Sequence, residues 1–326
     1  MMLARHWYGQ SSLTQILRPI AGLYGGLVAL RRMAYRRRIL SSYRLPVPVI
    51  IVGNITVGGT GKTPLVAWIA ELLCTSGYRP GIVTGGYKGR SQQWPQLVYP
   101  DSEPLQVGDE AVLLARRGSF PVVAGPDRVA AAETLLAQSN CNVIISDDGL
   151  QHYALQRDIE IAVVDTQRLF GNGLYLPAGP LREPVRRLKG VHMVVGNGSN
   201  AWDGGYSMTL GQEQACNLKD PSRSCALKTF QGKPVHGVAG IGNPARFFGG
   251  LRESGLDVVE HPFPDHHAFQ PKDLEFDNSY PILMTEKDAV KCEGFAGPSC
   301  WYVPATVQLD GRLGPDLLDR LRALPS

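Results

Sequence analysis

The chain has 326 residues, 44% of them hydrophobic, and a formal net charge of +4 from 33 basic and 29 acidic residues. This composition excludes a disordered protein, a collagen-like repeat and a small disulfide-stapled domain, and the length predicts about two domains. The charge is unevenly distributed. Residues 1–44 contain eight arginines and neither lysine nor acid, so the remaining 282 residues carry a net charge of −4.

Residues 1–44 have the pattern of a basic amphipathic helix. Its apolar side chains share one face of a helical wheel, namely Leu13, Ile16, Leu17, Ile20, Tyr24, Leu27 and Val28. The longest uncharged run, residues 19–30, is shorter than the ~20 residues that cross a bilayer, and the arginines after it argue against signal-peptide cleavage. We therefore expect a segment lying on an anionic membrane surface. The alternative is an ordinary first helix packed on the core.

Two other partners are not expected from the sequence. A nucleic-acid footprint should spread over a domain face, whereas this basic segment stops at Arg44. No obligate protein partner is indicated. The six cysteines show no C-x-x-C pair, which favours reduced thiols in a cytosolic compartment.

After Pro48, apolar runs rich in β-branched residues alternate with helical patterns. Strands are predicted over 47–52, 81–84, 121–124, 142–146 and 159–164, with helices over 64–74, 110–117 and 128–136. Such alternation predicts an α/β fold with a parallel sheet covered on both faces. Residues 171–184, rich in proline and glycine, predict a hinge or an active-site loop.

The alternation resumes beyond that loop. Strands are predicted over 191–195, 235–239, 258–261, 282–284 and 301–303, with helices over 245–254 and 286–291. Residues 196–230 receive no assignment because they are polar and poorly periodic. The predicted organisation is a membrane-interface segment over 1–44, a first α/β domain over 45–180 and a second, smaller α/β domain over 181–326.

A glycine-rich segment follows the first strand and reads GNITVGGTGKT from Gly53 to Thr63. The phosphate-binding loop pattern is G-x-x-x-x-G-K-[ST] between a strand and a helix. Its second half is present, although Thr56 stands where its first glycine would fall. The nucleotide-binding candidates are Thr56, Val57, Gly58, Gly59, Thr60, Gly61, Lys62 and Thr63. A glycine turn that happens to precede a lysine is the alternative.

Each part of such a loop has a physical task. Backbone N–H groups surround a nucleotide phosphate, the Lys62 ammonium reaches the β/γ oxygens and the Thr63 hydroxyl binds Mg²⁺. A second acidic element should hold the metal shell, and Asp147 and Asp148 supply it after a buried strand. The first domain is therefore predicted to be P-loop NTPase-like and to use ATP and Mg²⁺. A plain turn at the two aspartates is the alternative.

Six segments in chain order resemble the tetraacyldisaccharide 4'-kinase (lipid A 4'-kinase) family. They are GNITVGGTGKTP (53–64), GDE (108–110), DDGLQH (147–152), LPAGPLRE (176–183), FPDHHAF (263–269) and TEKD (285–288). The resemblance extends from about residue 10 to residue 305. It implies a peripheral enzyme at the cytoplasmic face of the inner membrane. Its reaction would transfer the γ-phosphoryl group of ATP to the 4'-hydroxyl of tetraacyldisaccharide 1-phosphate, a lipid A precursor.

The resemblance also implies residue roles. Asp109 would be the catalytic base, with His266 orienting it or tuning its pKa, and Lys62 would act on the transferred phosphate. Asp147 and Asp148 would belong to the Mg²⁺ site. The nucleotide-binding residues beyond the loop would be Arg128, Arg182 and Glu183.

For several of these residues a purely structural role is the alternative. The alternatives are that Asp109 only caps the next helix, that Arg128 is an exposed helical charge and that residues 285–288 form only a capped helix start. The assignment of His266 rather than His267 depends on the motif alone. Gly85 stands where the family pattern has arginine, which puts the local geometry in doubt.

A rival function is a membrane-recruited P-loop ATPase that acts as a switch through a protein partner. It accounts for the phosphate loop, Asp147 and the basic segment. It does not account for the segments at 176–183 and 263–269.

Overall fold

The computed structural model describes residues 6–9, 12–198 and 202–324. Parts of the predicted N-terminal segment, residues 1–5 and 10–11, lie outside the described residues. The helices are α1 (Ser12–Arg36), α2 (Lys62–Thr75), α3 (Pro104–Val107), α4 (Asp109–Arg117), α5 (Arg128–Gln138), α6 (Pro244–Glu253), α7 (Glu286–Cys292) and α8 (Leu313–Arg322). Three short 3₁₀ helices span Val185–Gly190, Leu227–Phe230 and Pro271–Leu274.

The strands form two sheets. The first eight are β1 (Val49–Gly53), β2 (Pro80–Thr84), β3 (Gln96–Val98), β4 (Val122–Ala124), β5 (Val143–Asp147), β6 (Ile159–Asp165), β7 (Met193–Asn197) and β8 (Tyr206–Gly211). The others are β9 (Gln214–Asn217), β10 (Ser224–Ala226), β11 (Pro234–Ala239), β12 (Asp257–Pro262), β13 (Ile282–Thr285), β14 (Cys300–Val303) and β15 (Thr306–Leu309).

The larger sheet has the order β15-β8-β7-β6-β1-β5-β2-β4-β3. It is parallel from β8 to β4, and antiparallel strands close both edges. The central strand β1 is buried along its whole length, because helices and loops cover both faces. The predicted α/β fold with a covered parallel sheet is therefore confirmed.

The strand predicted over 191–195 belongs to the larger sheet and not to the second domain. It is β7, and Val195 pairs in parallel with Val163 of β6. The later strands β8 and β15 extend the same sheet. The boundary expected at residue 180 thus falls within the chain that builds this sheet. The sequence pattern could not show this, since a buried parallel strand looks the same in either sheet.

The smaller sheet has the order β10-β9-β14-β13-β11-β12. Its strands β12, β11, β13 and β14 are parallel, and they match the four remaining strand predictions. The unassigned residues 196–230 contain β8, β9 and β10. Two ion pairs connect the two sheets. Arg117 of α4 contacts Glu286 of α7, and Arg116 of α4 contacts Glu293, the residue after α7.

Helix α1 has two opposite faces. Thr14, Ala21 and Gly25 are buried against the body, and a Cβ built on Gly25 would lie 2.6 Å from Cε2 of Tyr175. The other face exposes large apolar side chains to more than half of their area, namely Ile16, Ile20, Leu23, Leu27 and Leu30. The predicted amphipathic helix is present, but its apolar residues are largely outside, unlike those of an ordinary core helix.

Length and composition alone would let α1 cross a membrane. The expectation that the segment lies on a membrane surface stays a prediction. The helix includes Pro19 and Arg18 without interruption.

Candidate active site

The phosphate-binding loop connects β1 to α2 at the carboxyl end of the larger sheet. Gly58 and Gly61 have φ angles of 116° and 88°, a region that glycine adopts without strain. A Cβ at Gly61 would also lie 2.4 Å from Nδ2 of Asn197. That amide donates to the carbonyl of Thr60 at 2.8 Å. Two separate constraints therefore require glycine at position 61.

The segment over 171–184 packs against this loop. Val57 N donates to the carbonyl of Pro180 at 2.8 Å, and Arg182 N donates to that of Ile55 at 2.8 Å. Thr56 is bridged to Leu181 in this contact and does not line the cleft. Of the two alternatives for the segment, its position matches an active-site loop.

Thr63 and Asp147 meet where β5 ends beside the start of α2. The Thr63 hydroxyl donates to Oδ2 of Asp147 at 3.4 Å. Oδ1 of Asp147 is buried and has no hydrogen-bond partner within the described residues. Burial, and then the charge of Glu110, raise the pKa of Asp147 to about 7. A buried carboxylate without a partner needs a cation, so the pair fits the Mg²⁺ that the sequence predicts.

Asp148 has a different set of partners. Arg182 contacts its two oxygens at 3.1 and 2.9 Å, and Nζ of Lys62 lies 3.6 Å from Oδ1. Although burial disfavours its charge, Lys62 and Arg182 hold the pKa of Asp148 well below its usual range. Asp148 therefore places two cations beside the loop, and its oxygens are more occupied than those of Asp147.

Asp109 begins α4 and meets a histidine from the second sheet. Nδ1 of His266 lies 3.0 Å from each carboxylate oxygen of Asp109. His267 points elsewhere and contacts Asp273 at 3.0 Å. The helix is capped by Gly108, without a side-chain cap bond, so Asp109 is not its N-cap. The structure therefore brings His266, and not His267, to Asp109.

Positive charges keep Asp109 ionised. Burial alone would raise its pKa, but the charge of Lys287, the hydrogen bond from His266 and the charge of Lys291 lower it to about 2. Lys287 lies in α7, whose N-cap is Thr285. The capped helix start considered for residues 285–288 is thus real. The segment also resembles the family, and the structure shows in addition that Lys287 lines the cleft.

Arg128 is buried, and the interpretation as an exposed charge is wrong. It donates to the carbonyls of Gly125 at 2.7 Å and Asp147 at 3.3 Å. A Cβ on Gly85 would lie only 2.8 Å from NH2 of Arg128. Glycine at position 85 therefore leaves the space that the Arg128 guanidinium fills, and a basic group is present there after all.

Glu183 is fully buried, and several side chains contact its carboxylate. Nε2 of Gln151 donates to it at 3.2 Å, the Tyr153 hydroxyl also donates, and Nε of Arg187 lies 3.7 Å away. Protein groups therefore occupy its carboxylate, and one of them, Gln151, also contacts Arg182 at 3.1 Å.

These elements surround a cleft of about 800 Å³ between the two sheets. The predicted residues that line it are Val57, Gly58, Gly59, Thr60, Gly61, Lys62, Thr63, Arg128, Asp148, Arg182, Glu183 and His266. Asp109 and Asp147 lie in the walls behind them. Lining residues to which the sequence analysis assigns no role include Glu110, Arg246 and Lys287. Glu110 and Lys287 lie in the family-like segments 108–110 and 285–288, whereas nothing in the local pattern of Arg246 separates it from a surface charge.

Comparison with known proteins identifies the family. A profile of the tetraacyldisaccharide-1-P 4'-kinase family matches residues 13–322. The chain belongs to this family. It is 52% identical over 321 residues to the tetraacyldisaccharide 4'-kinase of Nitrosococcus oceani, covering 98% of the chain and 94% of that relative. It is 52% identical over 323 residues to that of Methylobacillus flagellatus, covering 99% and 96%.

A solved structure of the tetraacyldisaccharide-1-P 4'-kinase family shares the fold. The crystal structure of LpxK from Aquifex aeolicus in complex with ATP matches with a TM-score of 0.78 at 28% identity. The match covers 95% of this chain and 99% of that one. The family and the fold class predicted from the sequence are confirmed.

Proposed function

We propose that the chain is a lipid kinase that transfers the γ-phosphoryl group of ATP to the 4'-hydroxyl of tetraacyldisaccharide 1-phosphate. Family membership supports this function over the ATPase switch. The contact between Asp109 and His266 carries the proposal. It places an ionised carboxylate in the wall of the cleft that the phosphate-binding loop also lines, as transfer to an alcohol requires.

ATP would bind along the first turn of α2. The loop N–H groups and the helix N-terminus favour the phosphates, and Lys62 approaches the β/γ oxygens. Arg128 and Arg182 add positive charge near the loop, where they contact Asp147 and Asp148 respectively. Because phosphoryl transfer depends mainly on alignment and charge neutralisation, these cations would supply much of the catalysis.

Mg²⁺ would be held by the Thr63 hydroxyl and Asp147, with Asp148 beside them. The unpartnered Oδ1 of Asp147 supports this assignment. The ion, when bound, neutralises charge on the phosphate oxygens. Asp148 meanwhile keeps Lys62 and Arg182 in place.

Asp109 would accept the proton of the acceptor hydroxyl. Its low pKa keeps it deprotonated at neutral pH, and His266 orients it. We propose that the two sheets act as separate units, the larger one carrying the nucleotide and the smaller one contributing His266. Closure of the cleft between them would align Asp109 with the hydroxyl and exclude water.

Helix α1 would bind the membrane peripherally, at the cytoplasmic face. Its exposed apolar face can enter lipid, while its opposite face is fixed to the body by Gly25 and Tyr175. A cavity of about 550 Å³ beside it is lined by Arg32, Arg36, Arg37 and Arg186. These arginines have no acidic partner within the described residues, so they are available to lipid phosphates.

The decisive experiment uses γ-labelled ATP with tetraacyldisaccharide 1-phosphate in detergent. We expect the label in the lipid, at a rate that depends on Mg²⁺. Label found only as free phosphate would contradict the proposal and support the ATPase switch.

A further inference from the structure

Lys287 makes three contacts with groups around the cleft. Its Nζ lies 2.8 Å from Oε1 of Glu110, 3.3 Å from Nε2 of His266 and 3.5 Å from Oδ1 of Asp265. The side chain is mostly buried. An ammonium group has three hydrogens and no lone pair, so each contact uses one of its donors.

The contact with His266 determines where the imidazole carries its proton. Lysine can only donate, and Nε2 must therefore be the unprotonated, accepting nitrogen. The remaining proton then lies on Nδ1, which is 3.0 Å from both oxygens of Asp109 and donates to that carboxylate. The imidazole is then neutral and lies between an ammonium donor and a carboxylate acceptor.

We propose that Lys287 is a positioning residue that keeps His266 neutral, with its proton on Nδ1, so that His266 acts only as a hydrogen-bond donor to Asp109. The inference rests on the proposed role of Asp109 as the base. With Nε2 occupied by Lys287, His266 has no free lone pair with which to take a proton. The proton of the acceptor hydroxyl therefore stays on Asp109.

The charges around His266 explain why a lysine is needed. Asp109 faces it from α4, and Asp265 lies on its own loop with Oδ1 3.7 Å from Nε2. Glu110 of α4 contacts Lys287 and not the imidazole. Lys291 of α7 is 3.8 Å from Asp109 but pairs with Asp288 at 2.7 Å. The edge contact with the Tyr87 ring is uncharged.

Two carboxylates therefore lie within reach of the imidazole, Asp109 at Nδ1 and Asp265 at Nε2. The ammonium of Lys287 lies closer to Nε2 than Asp265 does and occupies its lone pair. Without Lys287, Asp265 would be the remaining charged group at Nε2 and would accept a hydrogen bond from a protonated Nε2, and the resulting cation would weaken Asp109 as a base.

The test combines nitrogen NMR of ¹⁵N-histidine-labelled full-length protein with kinetics. In the wild type at pH 7, Nε2 of His266 should give the signal of an unprotonated nitrogen, with the signal assigned by its loss in His266→Gln. In Lys287→Met, proton uptake at Nε2 should move to higher pH by about one unit. Lys287→Arg should retain the wild-type state, and Lys233→Met, an exposed lysine, is the matched control.

The kinetic readout separates positioning from a structural role. In Lys287→Met, the acidic limb of kcat should move to higher pH, with about a tenfold loss on that limb, recovery at high pH and little change in KM for ATP. An equal loss of kcat at every pH would overturn the proposal.

A doubly protonated His266 in the wild type would also overturn it, even if Lys287→Met fails to fold. The NMR experiment needs no lipid. A wild type that shows the predicted signal but transfers no label would therefore refute the proposed function and leave the Lys287 contact intact.

Discussion

Nδ1 of His266 lies 3.0 Å from both carboxylate oxygens of Asp109, although 157 positions separate the two residues in the chain. Asp109 belongs to the helix that begins after a loop of the larger sheet, whereas His266 follows β12 of the smaller one. The contact therefore depends on how the two sheets are placed relative to each other.

Asp109→Asn should lower turnover by on the order of 10²- to 10⁴-fold, because the amide cannot accept the hydroxyl proton. The affinity for ATP, measured by calorimetry with Mg²⁺, should stay within about twofold. Loss of ATP binding instead would make Asp109 a ligand of the nucleotide or metal and would contradict its role as base.

The two adjacent histidines should respond differently to substitution. His266→Gln should lower kcat by at least about tenfold, since Asp109 loses its orienting donor. His267→Gln is the matched control, because His267 contacts Asp273, away from the cleft. It should leave kcat within about twofold. Equal losses in the two variants would show that the loop matters only as a whole.

In the absence of Mg²⁺, we expect the free energy of unfolding to fall as pH rises, because of Asp147. Its pKa is raised to about 7 from 3.8, so between these values the folded state binds more protons than the unfolded state. Asp147→Asn should flatten this dependence and raise stability at pH 7.5 by on the order of 1 kcal/mol. It should also remove the stabilisation by Mg²⁺ seen in thermal melts. A full Mg²⁺ effect in the variant would exclude Asp147 as a ligand.

Leu23→Ser combined with Leu27→Ser should weaken binding to anionic vesicles by on the order of 10²-fold, because both side chains are exposed on the outer face of α1. ATP affinity should be unchanged. Val259→Ser, an exposed apolar residue on β12, is the control. Vesicle flotation measures the effect. Equal flotation of the double variant and the wild type would exclude the outer face of α1 as the lipid contact.

Much of the fold could be predicted because its signals are local. A buried strand followed by GKT and a helix fixes the phosphate loop within a few residues, and residues 142–146 followed by two aspartates fix the acidic end of β5. The pairing of β7 with β6 could not be predicted, since it depends on which sheet a generic apolar strand joins.

Only residues in recognisable motifs could be predicted as site residues. Lys287 looked like part of a capped helix start, and that is what its backbone forms. Its contacts with Glu110 and His266 arise from the packing of α7 on α4, which no local pattern encodes. The space left by Gly85 for Arg128 is likewise a tertiary property.

The flank of α1 has a consequence for how a lipid can be handled. Tyr24, Val28 and Arg31 lie between the buried and the exposed faces of the helix, and they line the cleft. If the outer face lies in lipid, as we propose, the opening would sit near the head groups. A sugar could therefore enter sideways while its acyl chains stay in the bilayer, and catalysis would not require extraction of the lipid.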